Sequence, residues 1–66
     1  MNIGKSIKVA LAVKGMKAKD LASTLGVTAP TVSSMCIRET ASGQMLIMLA
    51  RSFDMKVSEF VALGED

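Results

Sequence analysis

The sequence predicts an all-α fold, and three features of it support that prediction. Apolar residues recur every three or four positions along most of the chain, as on the buried face of an amphipathic helix. No window is dominated by the β-branched and aromatic residues that favour strands, since only two residues are aromatic and six are methionine. Capping residues and glycines separate the periodic segments. We therefore expect one compact domain of five short helices over residues 1–66.

The first two helices are bounded by clear capping signals. The first is predicted over 3–14, because Asn2 can cap its start and Gly15 suits the left-handed position after its end. The second is predicted over 17–25, with Gly26 ending it. Each helix shows apolar residues on one face, which predicts that both pack on a shared core.

The third helix is predicted over 28–36, where Thr28 is a good N-cap. Pro30 falls in the first turn, where its missing N–H would have had no partner within the helix, so it supports this boundary. Val32 and Met35 are then spaced to point inward.

The last two helices are predicted over 42–53 and 57–63. Ser42 can cap the fourth helix, and its core spacing is carried by Leu46, Leu49, Ala50 and Phe53. The fifth presents Phe60 and Val61 before Gly64 ends it.

Residues 17–36 have the pattern of a helix-turn-helix. Two short helices flank a tight turn at Gly26 and Val27, and the small Ala22 allows the helices to cross closely. Glycine permits the positive φ of such a turn. The apolar residues expected to hold the second helix, with its opposite face exposed, are Leu21, Leu25, Val27, Val32 and Met35. An exposed helix held in this way fits the major groove of DNA.

The chain resembles the phage repressor and Cro (XRE-type) helix-turn-helix proteins along nearly its whole length. The matching motifs are Ile3-Gly4, Ile7, Lys14-Gly15-Met16, Asp20-Leu21-Ala22, Leu25-Gly26-Val27-Thr28, Thr31-Val32-Ser33, Met35, Leu46-Ile47, Leu49-Ala50, Phe53 and Val57-Ser58-Glu59-Phe60-Val61. The resemblance implies a compact five-helix lambda-repressor-like domain. It also implies a Cro-like or repressor-like transcription regulator, derived from a phage or prophage, that binds a two-fold symmetric operator.

By position in that family, the groove-facing residues would be Thr28, Ala29, Pro30, Ser33 and Ser34. Relatives often have glutamine, asparagine, lysine or arginine at several of these positions, and this chain offers no bidentate donor for guanine or adenine. The contacts that these residues can make with bases are hydrogen bonds of hydroxyl groups and apolar contacts with thymine methyls. DNA shape would therefore account for much of the discrimination between operator sequences. The alternative is that Ser33 and Ser34 are ordinary solvent-facing helix residues.

The residues expected at DNA phosphates are Lys14, Lys17, Lys19, Thr31, Arg38 and Gln44. The net charge is only +2, but lysines are concentrated in the first third of the chain, whereas Glu59, Glu65 and Asp66 lie near its end. Lys17 opens a helix, where a lysine neither caps nor suits the dipole, which indicates a functional role. The alternatives are a frayed, solvated helix start and ordinary solvated lysines.

Two departures from the family pattern are expected to compensate each other. Many relatives have an arginine and a glutamate, forming an ion pair, at the positions that Leu11 and Cys36 occupy here. Replacement of a buried ion pair by apolar residues is often neutral or stabilising. We therefore predict that Leu11 contacts Cys36 in the core and that Cys36 is structural rather than a redox switch. Arg38 stands where relatives have a glycine, so the loop over 37–41 is expected to differ from theirs.

A homodimer is predicted from apolar residues that the core does not need. Met45 and Met48 fall outside the main stripe of the fourth helix, and Val61 and Leu63 would lie nearby in the family fold. These four residues are the predicted dimer interface.

Other function classes are weakly supported. With no histidine, one cysteine, no glycine-rich phosphate loop and no paired carboxylates, we expect neither an enzyme nor a metal, cofactor or small-molecule site. No apolar run is long enough for a membrane helix or a signal peptide, so we expect a cytoplasmic protein. The alternative function is a protein-interaction module of the same fold, such as an anti-repressor or an antitoxin-like partner, favoured by the weakly polar recognition helix and the exposed methionines.

Overall fold

The computed structural model describes residues 2–65, so Met1 and Asp66 of the predicted domain lie outside the described part. Over that range the chain forms five α-helices and no strand, which confirms the predicted all-α fold. The helices are α1 (Ile3–Lys14), α2 (Ala18–Leu25), α3 (Ala29–Met35), α4 (Gly43–Ser52) and α5 (Val57–Ala62). Each predicted boundary lies within about one residue of the observed one, the uncertainty common at helix ends.

The helix ends use the capping groups that the sequence predicts. The side-chain oxygen of Asn2 accepts the backbone N–H of Lys5 at 3.0 Å, and the hydroxyl of Ser42 accepts that of Met45 at 3.2 Å. Gly15 ends α1 in the left-handed conformation, at φ +64°. These local contacts satisfy backbone groups that a helix end would otherwise leave unpaired.

The helices surround one cluster of buried side chains. Its largest members are Phe53 and Phe60, whose rings stack with their centroids 5.9 Å apart. The cluster consists of Ile3, Ile7, Ala10, Leu21, Ala22, Val32, Met35, Leu49, Ala50, Phe53 and Phe60. Because all five helices or their caps contribute, none of them buries its apolar face without the others.

The prediction that Val27 helps to hold α3 is wrong. Its side chain is 39% exposed and stays outside the core cluster, whereas Leu25 packs partly buried against that cluster. Val27 lies in the turn between α2 and α3, where helical spacing no longer determines which side of the chain faces inward. The apolar packing of the helix-turn-helix is therefore provided by side chains of the helices themselves.

A buried serine joins the two ends of the described chain. Ser6 of α1 is fully buried, and its hydroxyl donates to the backbone carbonyl of Val61 in α5 at 3.4 Å. This bond satisfies a polar group that burial would otherwise penalise. It also ties α5 to the face of α1 that carries Ile3 and Ile7.

The loop over 37–41 is attached to the start of α1. The backbone N–H of Ile3 donates to the carbonyl of Glu39 at 3.1 Å, and that of Gly4 donates to the carbonyl of Arg38 at 2.7 Å. Gly4 approaches so closely that a Cβ there would collide with the backbone carbonyl of Cys36. The loop after α3 is therefore fixed by backbone contacts.

Candidate nucleic-acid interface

The turn between α2 and α3 sets the orientation of α3. Gly26 adopts a positive φ of +73°, a conformation that glycine reaches without steric cost. The next residue, Val27, donates its backbone N–H to the carbonyl of Ala22 at 2.9 Å and closes the turn. Leu21 and Ala22 are buried where α2 packs on α3. The predicted small residue at this crossing is thus in place.

The two faces of α3 differ sharply in exposure. Val32 and Met35 are buried in the core, and Cys36 is half-buried just after the helix. Of the predicted base-contacting residues, Pro30, Ser33 and Ser34 are exposed on the helix, Thr28 is exposed as its N-cap, and Ala29 is half-buried. Four of the five predicted residues are therefore exposed along α3 and its N-cap, and all five have short side chains.

The hydroxyls of Thr28 and Thr31 are used within the protein. The Thr28 Oγ1 accepts the backbone N–H of Thr31 at 3.4 Å, as an N-cap does, and lies 2.9 Å from the Thr31 Oγ1. The two hydroxyls thus share a hydrogen bond beside the start of α3. Each oxygen keeps some further bonding capacity, since a hydroxyl has one donor and two acceptor sites.

The cations predicted at phosphates lie on the surface. Lys14, Lys17, Lys19 and Arg38 are all exposed, and Gln44 is exposed in the first turn of α4. Lys14 ends α1 and Lys17 precedes α2, so the three lysines follow the connection between these helices. A positive strip of this kind attracts a phosphate backbone.

Lys17 is the N-cap of α2 rather than its first residue. Its side chain makes no capping hydrogen bond, as expected, but its backbone N–H donates to the Asp20 carboxylate at 2.9 Å. The helix start is therefore locally satisfied and does not have the frayed geometry considered as an alternative. The same bond occupies the Lys17 N–H, so only the ammonium group of this residue can face a phosphate.

Cys36 lies half-buried at the C-terminal end of α3. Burial raises the pKa of its thiol, and the nearby charge of Lys8 opposes that rise. Leu11 and Cys36 each pack partly buried against the core. Their direct contact stays a prediction.

The four residues of the predicted dimer interface are not equally exposed. Met48 is 40% exposed and borders an open groove of about 280 Å³ between α2 and α4. Met45, Val61 and Leu63 instead pack partly buried against the core. The expectation that Met45 falls outside the core-facing stripe is wrong, because Met45 precedes the buried Leu49 by four residues and so lies on its face of the helix.

Sequence reasoning missed one exposed side chain beside α3. Ile37 is 80% exposed and follows Ser34 by three residues. That spacing, which continues the exposed row of α3 by one turn, was the available signal. Gly4 was also missed as a site residue, since its role depends on a contact between distant parts of the chain.

The described residues provide neither a metal-binding cluster nor a membrane-spanning helix. Among residues 2–65, no group of three histidine, cysteine, aspartate or glutamate side chains is arranged to hold a metal ion. Within the same range, no helix has both the length and the apolar character that crossing a membrane requires.

The chain matches a known protein family. A family model described as the Cro/C1-type HTH DNA-binding domain matches residues 6–66. A comparison with curated proteins finds no match. The family match includes both helices of the helix-turn-helix, the turn between them and the exposed face of α3. It confirms the resemblance seen in the motifs: the chain belongs to the Cro/C1-type helix-turn-helix family of DNA-binding domains.

Proposed function

We propose that this protein is a sequence-specific regulator of transcription, Cro-like or repressor-like and of phage or prophage type. It binds a two-fold symmetric operator as a homodimer, with α3 in the major groove. The observation that carries the proposal is the exposed face of α3, opposite the buried Val32 and Met35, in a domain whose Lys14, Lys17 and Lys19 are all exposed. An α-helix presented in this way matches the width of the major groove.

The surface of α3 favours close approach to the base edges. Pro30, Ser33 and Ser34 have short side chains, so the helix backbone can lie deep in the groove. Hydroxyl groups can donate or accept at any base edge, and apolar atoms suit thymine methyls. We therefore expect a site with modest direct discrimination, in which DNA shape contributes.

Phosphate contacts supply most of the affinity in this proposal. Lys14, Lys17 and Lys19, exposed around the connection between α1 and α2, contact the backbone in this proposal, and Arg38, Thr31 and Gln44 add further phosphate contacts. Such contacts fix the register of the helix in the groove but carry no sequence information themselves.

The size of the domain supports a dimer. Its principal extents are 27 × 20 × 20 Å. One domain is thus too small to reach two major-groove segments on one face of the duplex, which are about 34 Å apart. Two domains side by side can place one α3 in each segment. In this proposal Met45, Met48, Val61 and Leu63 form the contact with the second copy, and Met48 is the most exposed of the four.

The first experiment is selection from a pool of random duplex DNA at low and moderate salt. Enrichment of a two-fold symmetric site supports the proposal, as does a steep fall of affinity with salt. If no sequence is enriched even at low salt, the proposal is wrong and the protein-interaction module becomes the better interpretation.

A matched pair of lysines tests the phosphate contacts. Lys17 and Lys56 are both exposed N-cap residues whose backbone N–H donates to a carboxylate three residues later, at 2.9 and 3.1 Å. Lys56 precedes α5, which packs mainly on α1 and α4. Lys17→Ala should reduce the salt slope of binding by about one phosphate contact, whereas Lys56→Ala should leave it unchanged. Equal effects of the two substitutions would show that only net charge matters.

A further inference from the structure

The most exposed large apolar side chain among residues 2–65 is next to the DNA-facing surface. Ile37 is 80% exposed, more than Val13 or Ile47. It follows α3 by two residues and precedes the exposed Arg38. Burial of such a side chain against a partner is favourable, because it removes apolar area from water.

The backbone on both sides of Ile37 is held in place. The Cys36 carbonyl lies against Gly4, where even a methyl group would not fit, and the Arg38 carbonyl accepts the Gly4 N–H at 2.7 Å. Ile37 itself donates its N–H to the carbonyl of Ser34 at 3.4 Å. The backbone that carries the isoleucine is therefore already ordered before binding. This lowers the entropic cost of a contact with a partner.

Ile37 continues the exposed row of α3. Pro30, Ser33 or Ser34, and Ile37 follow one another at intervals of three or four residues, the spacing of one helix face. The chain keeps helical hydrogen bonding beyond Met35, since the N–H of Cys36 donates to the carbonyl of Val32 at 3.1 Å and that of Arg38 to the carbonyl of Met35 at 3.2 Å. The row of small residues thus ends in one larger apolar side chain.

We propose that Ile37 is a specificity-determining residue that contacts the C5-methyl group of a thymine at the edge of the base sequence read by α3. This inference rests on the proposed function. A thymine methyl is the apolar group that the major groove offers. The adjacent Arg38 favours a nucleic acid over an apolar protein surface, because its cation can contact the phosphate beside that base.

The test removes single methyl groups from the DNA. The probe is the duplex of highest affinity recovered from the random pool, with each thymine replaced in turn by uracil. Affinities are measured for the wild type, for Ile37→Ala and for Ile47→Ala, a control on α4 whose isoleucine is 47% exposed. Thermal unfolding of each variant checks that the fold is retained.

We expect one thymine position, repeated in each half-site of the symmetric duplex, at which uracil weakens the wild type by about fourfold, the factor that corresponds to burying one methyl-sized group. Ile37→Ala should bind the parent duplex more weakly and should no longer respond to uracil at that position, whereas Ile47→Ala should behave as wild type. The inference fails if Ile37→Ala binds as wild type, or if it keeps the full response to uracil at every position. Absence of any enriched duplex would overturn both this inference and the proposed function, whereas tight wild-type binding with an unaffected Ile37→Ala would overturn this inference alone.

Discussion

Gly4 connects the first helix to the loop after α3, and Gly4→Ala tests that connection. The new Cβ would collide with the carbonyl oxygen of Cys36 and would lie 2.6 Å from its carbonyl carbon and 2.8 Å from the carbonyl oxygen of Arg38. These are backbone atoms, so no side-chain rotation can relieve the contact. Either α1 or the loop after α3 has to move, and the 2.7 Å hydrogen bond from Gly4 to Arg38 is strained or lost.

Two opposing effects determine the size of the change. Alanine favours a helix over glycine by about 1 kcal/mol, whereas overpacking of this kind typically costs about 1–3 kcal/mol before any hydrogen bond is lost. With about 1 kcal/mol added for the strained or lost hydrogen bond, we expect a net loss of about 1–3 kcal/mol in the free energy of unfolding. That loss is large against the roughly 3–10 kcal/mol expected for a domain of this size. The melting temperature should then fall by at least about 4 °C.

Urea denaturation followed by circular dichroism measures this change, and Gly43→Ala is the matched control. Gly43 is also a helical glycine, but a Cβ there meets no atom within 4 Å. Gly43→Ala should therefore be neutral or stabilising by up to about 1 kcal/mol. If Gly4→Ala is as stable as Gly43→Ala, the close packing of α1 on the loop after α3 is wrong.

Three further substitutions test local features of the same fold. Thr28→Ala should lower the free energy of unfolding by about 1 kcal/mol, because it removes the cap of α3. Thr28→Ser keeps a hydroxyl at the cap and should retain most of that stability. Equal losses for the two variants in thermal melts would argue against the cap. Asp54 has a left-handed φ of +56°, so Asp54→Ala should be about 1 kcal/mol less stable than Asp54→Gly in urea titrations, and a reversed order would exclude strain at this residue. Burial raises the pKa of the Cys36 thiol in the folded state. The protonated thiol therefore contributes stability to the fold below its unfolded-state pKa, and this contribution is lost as pH rises through the folded-state pKa. Wild type should therefore lose more stability than Cys36→Ala as pH rises above about 8.5, the ordinary pKa of a cysteine thiol, and parallel losses would show that the thiol is not the cause.

Local signals in the sequence predicted the helices well. Asn2, Thr28 and Ser42 cap the helices expected, and Gly15 and Gly26 adopt the left-handed conformation. Each of these signals depends on hydrogen bonds or dihedral angles within a few residues, so neighbouring positions are enough to detect it. The exposed face of α3 followed from the inward spacing of its apolar residues.

Features that depend on distant contacts were not predicted. Nothing in the spacing around Gly4 or Ser6 indicates that the first meets the end of α3 or that the second is buried against α5. Val27 was misplaced because a turn has no regular inward face. Met45 was misplaced although its spacing to Leu49 carried the information.

The central claim is that the outer face of α3 enters the major groove, and a single negative charge on that face tests it most directly. Ser33 on α3 and Ser58 on α5 are both exposed helical serines, so Ser33→Glu and Ser58→Glu form a matched pair with the same change in net charge. The measurement is the affinity of each variant for the selected duplex at moderate salt. Ser33→Glu should bind at least about a hundredfold more weakly than wild type, because like charges brought together at an interface cost several kcal/mol. Ser58→Glu should change affinity only slightly. Near-equal affinities of the two variants, with both folded, would contradict the claim that α3 reads the DNA.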